Sequence, residues 1–532
     1  MVDILIIGSG GAGLSAALSA KAQGAKVLVV GKTYPTSSQS VMAQGGINAS
    51  LGNVDNDSID SHIQDTIKSA NGLCDIDMVK LMCESAIPTI EWLESLGVPF
   101  SRLEDTTNAT KGIDTIAQRR LGGASHKRAC YAQDYTGLKI VHTLYDNAIK
   151  NSIEFNNNLF LLELITQEQN IKGAVFLDTT NSSIVTIYAK SVILATGGYA
   201  GVYDGYTTNA YGVVGDGIAS VYRANGTISD MEFVQFHPTA LKGSSILISE
   251  SARGEGGYLI NSNNERFVDE LKPRDEVARA IFEQIQQGKD VYLDIRHLGE
   301  QKLQELLPQE IELCKLHEGV NPVDELIPIK PVAHYSMGGI DVNHQLQING
   351  IKGCFAIGEC SNSKVHGANR LGGNSLLEIA AFGKMAGENA YKFAKDNRSK
   401  NLSFSTDNLQ KYIQDILQKD ATCDIYSIKS KLGDIMYNQV GIVRKENTLQ
   451  KAKQDIQELQ NTLLSSGIDD SSIQYNQTLI EYLELKNALE IALLVVSSAI
   501  NRKESRGAHY RVDYPSQNDK FNQSTKLCRS KV

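Results

Sequence analysis

The chain has 532 residues and a formal net charge of -9, with 52 Lys and Arg against 61 Asp and Glu. That length predicts two or three domains rather than one core, and the acidic balance argues against a nucleic-acid partner while leaving room for a local cationic cleft. The 8 cysteines form no C-x-x-C pair, so iron–sulfur and zinc spacings are absent and no metal centre is expected, and no apolar run reaches the roughly 20 residues that cross a bilayer.

Residues 3–7 read as a buried strand, with no basic stretch ahead of them to mark a signal peptide. Gly8-Ser9-Gly10-Gly11-Ala12-Gly13 follows, then a helix over 14–23 and a second strand over 27–30. This strand, glycine turn, helix and strand make a dinucleotide-binding start. Gly8 permits the tight turn. Gly10 lets a pyrophosphate approach the backbone, and Gly13 lets helix and strand pack closely. The helix N-terminus offers free N–H groups and the positive end of its dipole. The acid that usually ends the second strand is replaced by Gly31, so a ribose is expected to meet backbone, Lys32 or Ser38.

Gln44, Gly45 and Gly46 form a second glycine motif that can bring backbone N–H groups to a flat ring. Helical spacing appears over 60–71 and 77–96, and strands are expected over 155–164, 173–178, 185–189 and 191–194. Ala195-Thr196-Gly197-Gly198 closes the last of these, and Gly358-Glu359 closes a distant strand over 353–357. The nucleotide domain is therefore split by an insertion. It is expected over 1–232 and again over 336–400, with a capping substrate domain over 233–335. A helical domain over 401–502 and an extended polar tail over 503–532 complete the chain. The fold class is α/β: a Rossmann-like nucleotide domain with an inserted α+β capping domain and a C-terminal helical domain.

From residue 2 to about 515 these motifs resemble, in order, one superfamily: the flavoprotein subunits of succinate dehydrogenase and fumarate reductase, together with L-aspartate oxidase. The match is carried by residues 6–13, 43–48, 120–123, 142–145, 207–209, 215–217, 236–239, 253–257, 274–275, 334–339 and 366–376. The resemblance implies FAD, met by Gly8, Gly10, Gly11, Ala12, Gly13, Lys32, Ser38, Gln44, Gly45, Gly46, Ala195, Thr196, Gly197, Asp216, Glu359, Ser375 and Leu376. It also implies a C4 dicarboxylate site. Arg370 looks like the family's carboxylate clamp, His237 and His334 like its substrate histidines, and Ser249 keeps a hydroxyl where the family often has threonine. Arg274 looks like the proton donor for fumarate reduction, fed by a relay from Arg253 through Glu250. Arginine is an unusual acid, since its pKa exceeds 12 in water, and a salt-bridge network that only orients the substrate is the other reading.

Leu121 stands where L-aspartate oxidases carry a glutamate, and leucine cannot pair with an ammonium. The short spacing from His237 to Glu250 favours the same side, whereas overall length favours L-aspartate oxidase, so oxidation of L-aspartate to iminoaspartate stays as the alternative. Gln39 stands where many members attach FAD through a histidine. Non-covalent FAD is expected, with fumarate reduction favoured over succinate oxidation. Electrons are expected from a separate iron–sulfur subunit, with or without a membrane quinone module, in a membrane-associated complex of respiratory electron transport; a soluble enzyme reoxidised by oxygen or free fumarate is the competing picture. That would place the chain in the cytoplasm, peripheral on the inner face of the cell membrane.

Overall fold

A computed structural model describes residues 1–103, 112–397 and 404–529. The domain boundary expected at 400/401 and the end of the expected tail lie outside the described residues.

The strand Val2–Ile7 pairs in parallel with Val27–Val30 on one side and Ile184–Leu194 on the other. Glu154–Asn156 extends the sheet beyond Val27–Val30, and Cys354–Ala356 pairs with the far edge of Ile184–Leu194. Val2–Ile7, Val27–Val30 and the end of Ile184–Leu194 are nearly continuous runs of buried Val, Ile and Leu, as the centre of a parallel sheet covered on both faces requires. Gly8 turns the chain at φ 111, and a Cβ on Gly13 would lie 2.0 Å from the Gly8 carbonyl oxygen. Helix Gly11–Ala22 can therefore start close against the strand, and it packs along Asn374–Asp396. Ile184–Leu194 serves two sheets. Its first half joins Asn170–Asp178 antiparallel, and its second half joins Val2–Ile7 in parallel.

The helical run expected over 77–96 is two helices, Ile76–Glu84 and Ala86–Leu96, meeting at Ser85. Pro88 explains the break, because it has no N–H for the Glu84 carbonyl and its ring crowds that oxygen.

Four antiparallel strands, in the order Val234–Leu241, Ile327–Ser336, Val291–Asp294 and Tyr258–Asn261, form a separate sheet. It has its own apolar core, including Ile248, Leu259, Val277, Ile281 and Leu293, and helix Arg274–Gln286 lies on it. The two long strands bring His237 and His334 side by side.

Helices Asp407–Gln418, Ile425–Val440, Glu446–Ser465 and Gln477–Asn501 follow. The last is apolar on nearly every face and is buried, which suits a central helix of a bundle. The segment after it is not a loose polar tail. Lys526–Leu527 adds to the strand Ile228–Ser229, and Glu504, Arg506, His509 and Arg511 are buried. Glu504 pairs locally with Arg502 and Arg506, while Arg511 reaches Glu446, Arg506 the Asn71 carbonyl, and Arg502 pairs with Glu232.

The fold is thus α/β, a Rossmann-like domain carrying an inserted α+β cap and a C-terminal helical region. The expectation of a cytoplasmic protein, peripheral on a membrane as part of a membrane-associated complex, does not stand as a trait of this chain. Among the described residues no helix is long and apolar enough to cross a membrane.

Candidate active site

A cleft runs between the parallel sheet and the cap, with about 1300 Å³ of empty space when the open solvent at its mouth is included. At one end its wall is backbone-rich: Gly10, Gly11, Ala12, Gln44, Gly45, Gly46, Ala195, Gly197 and Glu359. At the other end lie Leu121, His237, Ser249, Glu250, Arg274, His334 and Arg370, with Ser375 and Leu376 between. Residues of both expected sets therefore line one cavity, although Gly8, Gly13, Ser38 and Thr196 are not on its wall.

The cationic end is built around Glu250. Glu250 and Arg253 are one turn apart on helix Glu250–Gly254, which Ser249 caps by accepting from the Ser251 N–H at 3.1 Å. Arg253 Nη2 donates to Glu250 Oε1 at 3.1 Å. Arg274, the first residue of Arg274–Gln286, donates to Glu250 Oε2 through Nη2 (2.7 Å) and Nε (3.2 Å). Its Nη1 donates to Gln235 Oε1 at 3.1 Å. All three charged groups are buried. Burial pushes the Glu250 carboxyl up, but the Arg274 and Arg253 guanidiniums outweigh it and hold the group at about 2. Glu250 is therefore ionised at any working pH, and Arg253 lies beyond it, off the cleft wall.

Arg370 stacks its guanidinium 4.2 Å over the Tyr335 ring and donates to Ser375 Oγ at 3.3 Å, while its buried Nε has no partner among the described residues. Burial, helped by Arg274, lowers its pKa to about 10, so it stays charged near neutrality. His237 and His334 lie with ring centroids 5.0 Å apart. Burial first, then the neighbouring cations, holds both well below the usual imidazole range, so both are neutral at pH 7. Thr208 Oγ1 fixes His334 through Nδ1 at 2.7 Å, and His237 Nδ1 lies 3.3 Å from the Thr239 N–H and 3.0 Å from its carbonyl. Three guanidiniums thus surround one carboxylate, leaving an excess of positive charge that matches a dianion.

The nucleotide end fits FAD by its unmet polar atoms. Gln44 Oε1 on the cleft wall and Ser38 Oγ beside Gly10 are buried without partners among the described residues, and buried polar groups in a native protein ordinarily have partners. Glu359 accepts from the Ser336 N–H (2.9 Å) and Oγ (3.0 Å), and burial raises it to about 7. Helix Asn374–Asp396 points its N-terminus at the cleft beside Ser375, a favourable place for negative charge. Lys32 differs from the expectation of a ribose contact. Its ammonium is used by Asp216 (2.7 Å), Glu484 (2.6 Å) and the Gly212 carbonyl (2.5 Å). It ties the nucleotide domain to the last long helix, and neither Lys32 nor Asp216 is on the cleft wall.

Four contributors escape the sequence reading. Gln235 bridges Arg274 to the Arg370 loop, donating to the Arg370 carbonyl at 2.8 Å. It is two residues before His237 on one strand, so period-two alternation places both on the same face. Thr208 and Tyr335 lie within the motifs at 207–209 and 334–339 without a role assigned to them, and Glu310 carries no local signal. Gln39 lines the cleft and clasps the next loop, with Oε1 accepting from the Ala210 N–H at 2.9 Å.

Residues 3–376 match the family model described as FAD binding domain, and residues 429–531 match Fumarate reductase flavoprotein C-term. The succinate dehydrogenase flavoprotein subunit of Rickettsia bellii is 37% identical, covering 97% of this chain and 91% of that protein. The fumarate reductase flavoprotein subunit of a Serratia species is also 37% identical, covering 96% and 89%. An E. coli quinol fumarate reductase structure superposes with a TM-score of 0.91 at 36% identity, over 97% of this chain and 92% of that one. Such likeness along both the nucleotide domain and the C-terminal region leaves one conclusion: the chain belongs to the family of succinate dehydrogenase and fumarate reductase flavoprotein subunits.

Proposed function

We propose that this chain is an FAD-dependent oxidoreductase subunit that interconverts fumarate and succinate. The observation that carries the reading is the buried Arg253–Glu250–Arg274 array facing Arg370 across the cationic end of the cleft. Bound FAD supplies the two-electron chemistry, giving a hydride when reduced and taking one when oxidised.

The protein's own residues do the rest. Arg370 grips one substrate carboxylate as a two-pronged donor. His334, its Nδ1 accepting from Thr208 Oγ1, presents Nε2–H to the other. His237 does the same when its Nδ1 accepts from the Thr239 N–H, and Ser249 adds a hydroxyl. Arg274 gives a guanidinium proton to the alkene carbon next to the one receiving hydride, and in reverse takes it back. The Nη2–H···Oε2 contact of 2.7 Å to Glu250 and the 3.1 Å contact from Arg253 to Oε1 lay the return path. Leu121, against Gly45 on the wall, favours an unsubstituted carbon chain over an amine-bearing one.

We further propose that FAD is held non-covalently, because Gln39 offers an amide where a ring nitrogen would be needed, and that electrons reach it from a separate iron–sulfur subunit. The relatives' description as subunits supports that partner.

Purified protein with reduced viologen under anaerobic conditions should reduce fumarate, and L-aspartate should yield no hydrogen peroxide. R274Q should lose about 10²–10⁴-fold in kcat with FAD still bound. Acid precipitation should release the flavin into the supernatant. Peroxide from L-aspartate without fumarate turnover would overturn the substrate assignment, and flavin in the acid pellet would overturn the non-covalent one.

A further inference from the structure

The cap helix Pro308–Glu318 begins against the nucleotide domain. Asp134 Oδ2 accepts from the Gln309 N–H (2.8 Å) and the Glu310 N–H (3.3 Å), so the helix is capped from across the domain boundary. Gln44, on the second glycine motif, donates to Gln309 Oε1 at 3.4 Å. One residue on, Glu310 is fully buried, and its Oε1 accepts the Ser249 N–H at 2.8 Å. That amide begins the turn that presents Ser249 Oγ and starts helix Glu250–Gly254. A hydrogen-bonded strut therefore runs from Asp134 through the first turn of Pro308–Glu318 to Glu310, Ser249 and the Glu250 helix.

No step of the proposed chemistry uses Glu310. A buried carboxyl is unfavourable unless its placement is compensated, and an apolar side chain would fill the space without that penalty. Burial, with Asp134 adding to it, pushes Glu310 up to about 8, while Arg119 and the Ser249 N–H pull the other way. At neutral pH it is an uncharged acceptor for the Ser249 N–H.

We propose that Glu310 is a positioning residue for the dicarboxylate site, fixing Ser249 and the start of the Glu250 helix and registering the cap on the nucleotide domain through Asp134. The proposal rests on the fumarate–succinate reading and is tested so that the two can fail separately. E310L, E310Q, S249A and the E310L/S249A pair are compared with the wild type for fumarate reduction, FAD content and amide hydrogen exchange over residues 249–254. E310L should raise KM for fumarate about tenfold with a smaller change in kcat, keep its FAD and exchange faster in that segment. E310Q retains a carbonyl oxygen for the Ser249 N–H and should stay within about twofold of wild type. S249A should add little to E310L, since a misplaced hydroxyl has little left to lose.

Wild-type KM and exchange in E310L, an E310Q variant as impaired as E310L, or full additivity with S249A would each overturn the proposal. If E310L does not fold, D134A carries the same expectation of faster exchange over 249–254, and unchanged exchange there overturns the strut. A wild-type protein inert towards fumarate would instead remove the functional reading, and the exchange data would still decide on the strut.

Discussion

Glu250 is held between two glycines from opposite parts of the chain. A Cβ on Gly122 would lie 2.5 Å from its Oε1, and one on Gly372 would lie 2.4 Å from Oε2 and 3.4 Å from Arg274 Nη2. Neither position admits a methyl group while the carboxylate stays between its two arginines. G372A should therefore push Oε2 away from Arg274 and lower kcat by about 10²-fold, with FAD content unchanged. G122A should act in the same direction through Arg253. A G372A enzyme with wild-type kcat would show that the Glu250–Arg274 contact has no part in proton delivery. Glu310 gives a pH test of opposite character. Its pKa is raised from 4.5 to about 8 on folding, so its contribution to stability is fully present below pH 4.5 and is lost as pH rises through 8. Between pH 5.5 and 8 the melting temperature of wild type should fall relative to that of E310Q. Parallel curves would mean that Glu310 is ionised throughout.

At the scale of elements, the start of helix Asn374–Asp396 decides whether Arg370, Ser375 and Leu376 face the cleft together. Asn48, at the end of the second glycine motif, donates through Nδ2 to the Gly372 carbonyl and to Asn374 Oδ1, both at 2.7 Å. His62 Nε2 meets the same Asn374 Oδ1 at 2.9 Å, and Asn374 Nδ2 donates to Thr66 Oγ1 at 3.0 Å. N48L removes two buried hydrogen bonds; Asn374 Oδ1 keeps His62, but the Gly372 carbonyl is stranded, which costs about 1–3 kcal/mol. FAD should bind at least about tenfold more weakly, read by flavin release on dilution; undiminished affinity would detach this network from the cofactor.

The elements also show what could be read in advance. The glycine turn between Val2–Ile7 and Val27–Val30 is local chemistry, and local chemistry is legible. Gln235 beside His237 and the break before Pro88 also carry local signals, strand alternation and a proline, though neither is among the expectations drawn from the sequence. Thr208 behind His334 and Glu310 behind Ser249 were not legible, because each contact joins residues 126 or 61 positions apart with no periodic signal between them. Lys32 misled for the same reason: its partner Glu484 is 452 positions away.

At the scale of the whole molecule, the last segment looks like a solvated tail in sequence because charge is usually a surface property. Here the charge is internal. Arg502 is fully buried and pairs with Glu232 and with Glu504 at 2.9 Å, and it also donates to the Phe521 and Gln523 carbonyls at 2.8 and 2.9 Å. Glu232 sits just ahead of Val234–Leu241, the strand that carries Gln235 and His237, and its backbone carbonyl accepts from Arg444 at 2.8 Å. The C-terminal region thus grips the root of a substrate-binding strand. Replacing Arg502 by methionine would leave the Glu232 carboxylate buried without its main counter-ion, and breaking a buried pair in this way costs about 3–5 kcal/mol. R502M should unfold at distinctly lower urea than wild type. The double variant E232Q/R502M should recover much of that loss, because it removes the stranded charge along with its partner. If the double variant is no better than R502M, packing and the lost carbonyl contacts hold the segment in place and the ion pair is incidental. If it recovers and also regains the wild-type KM for fumarate, the pair acts on the site through the strand that it anchors.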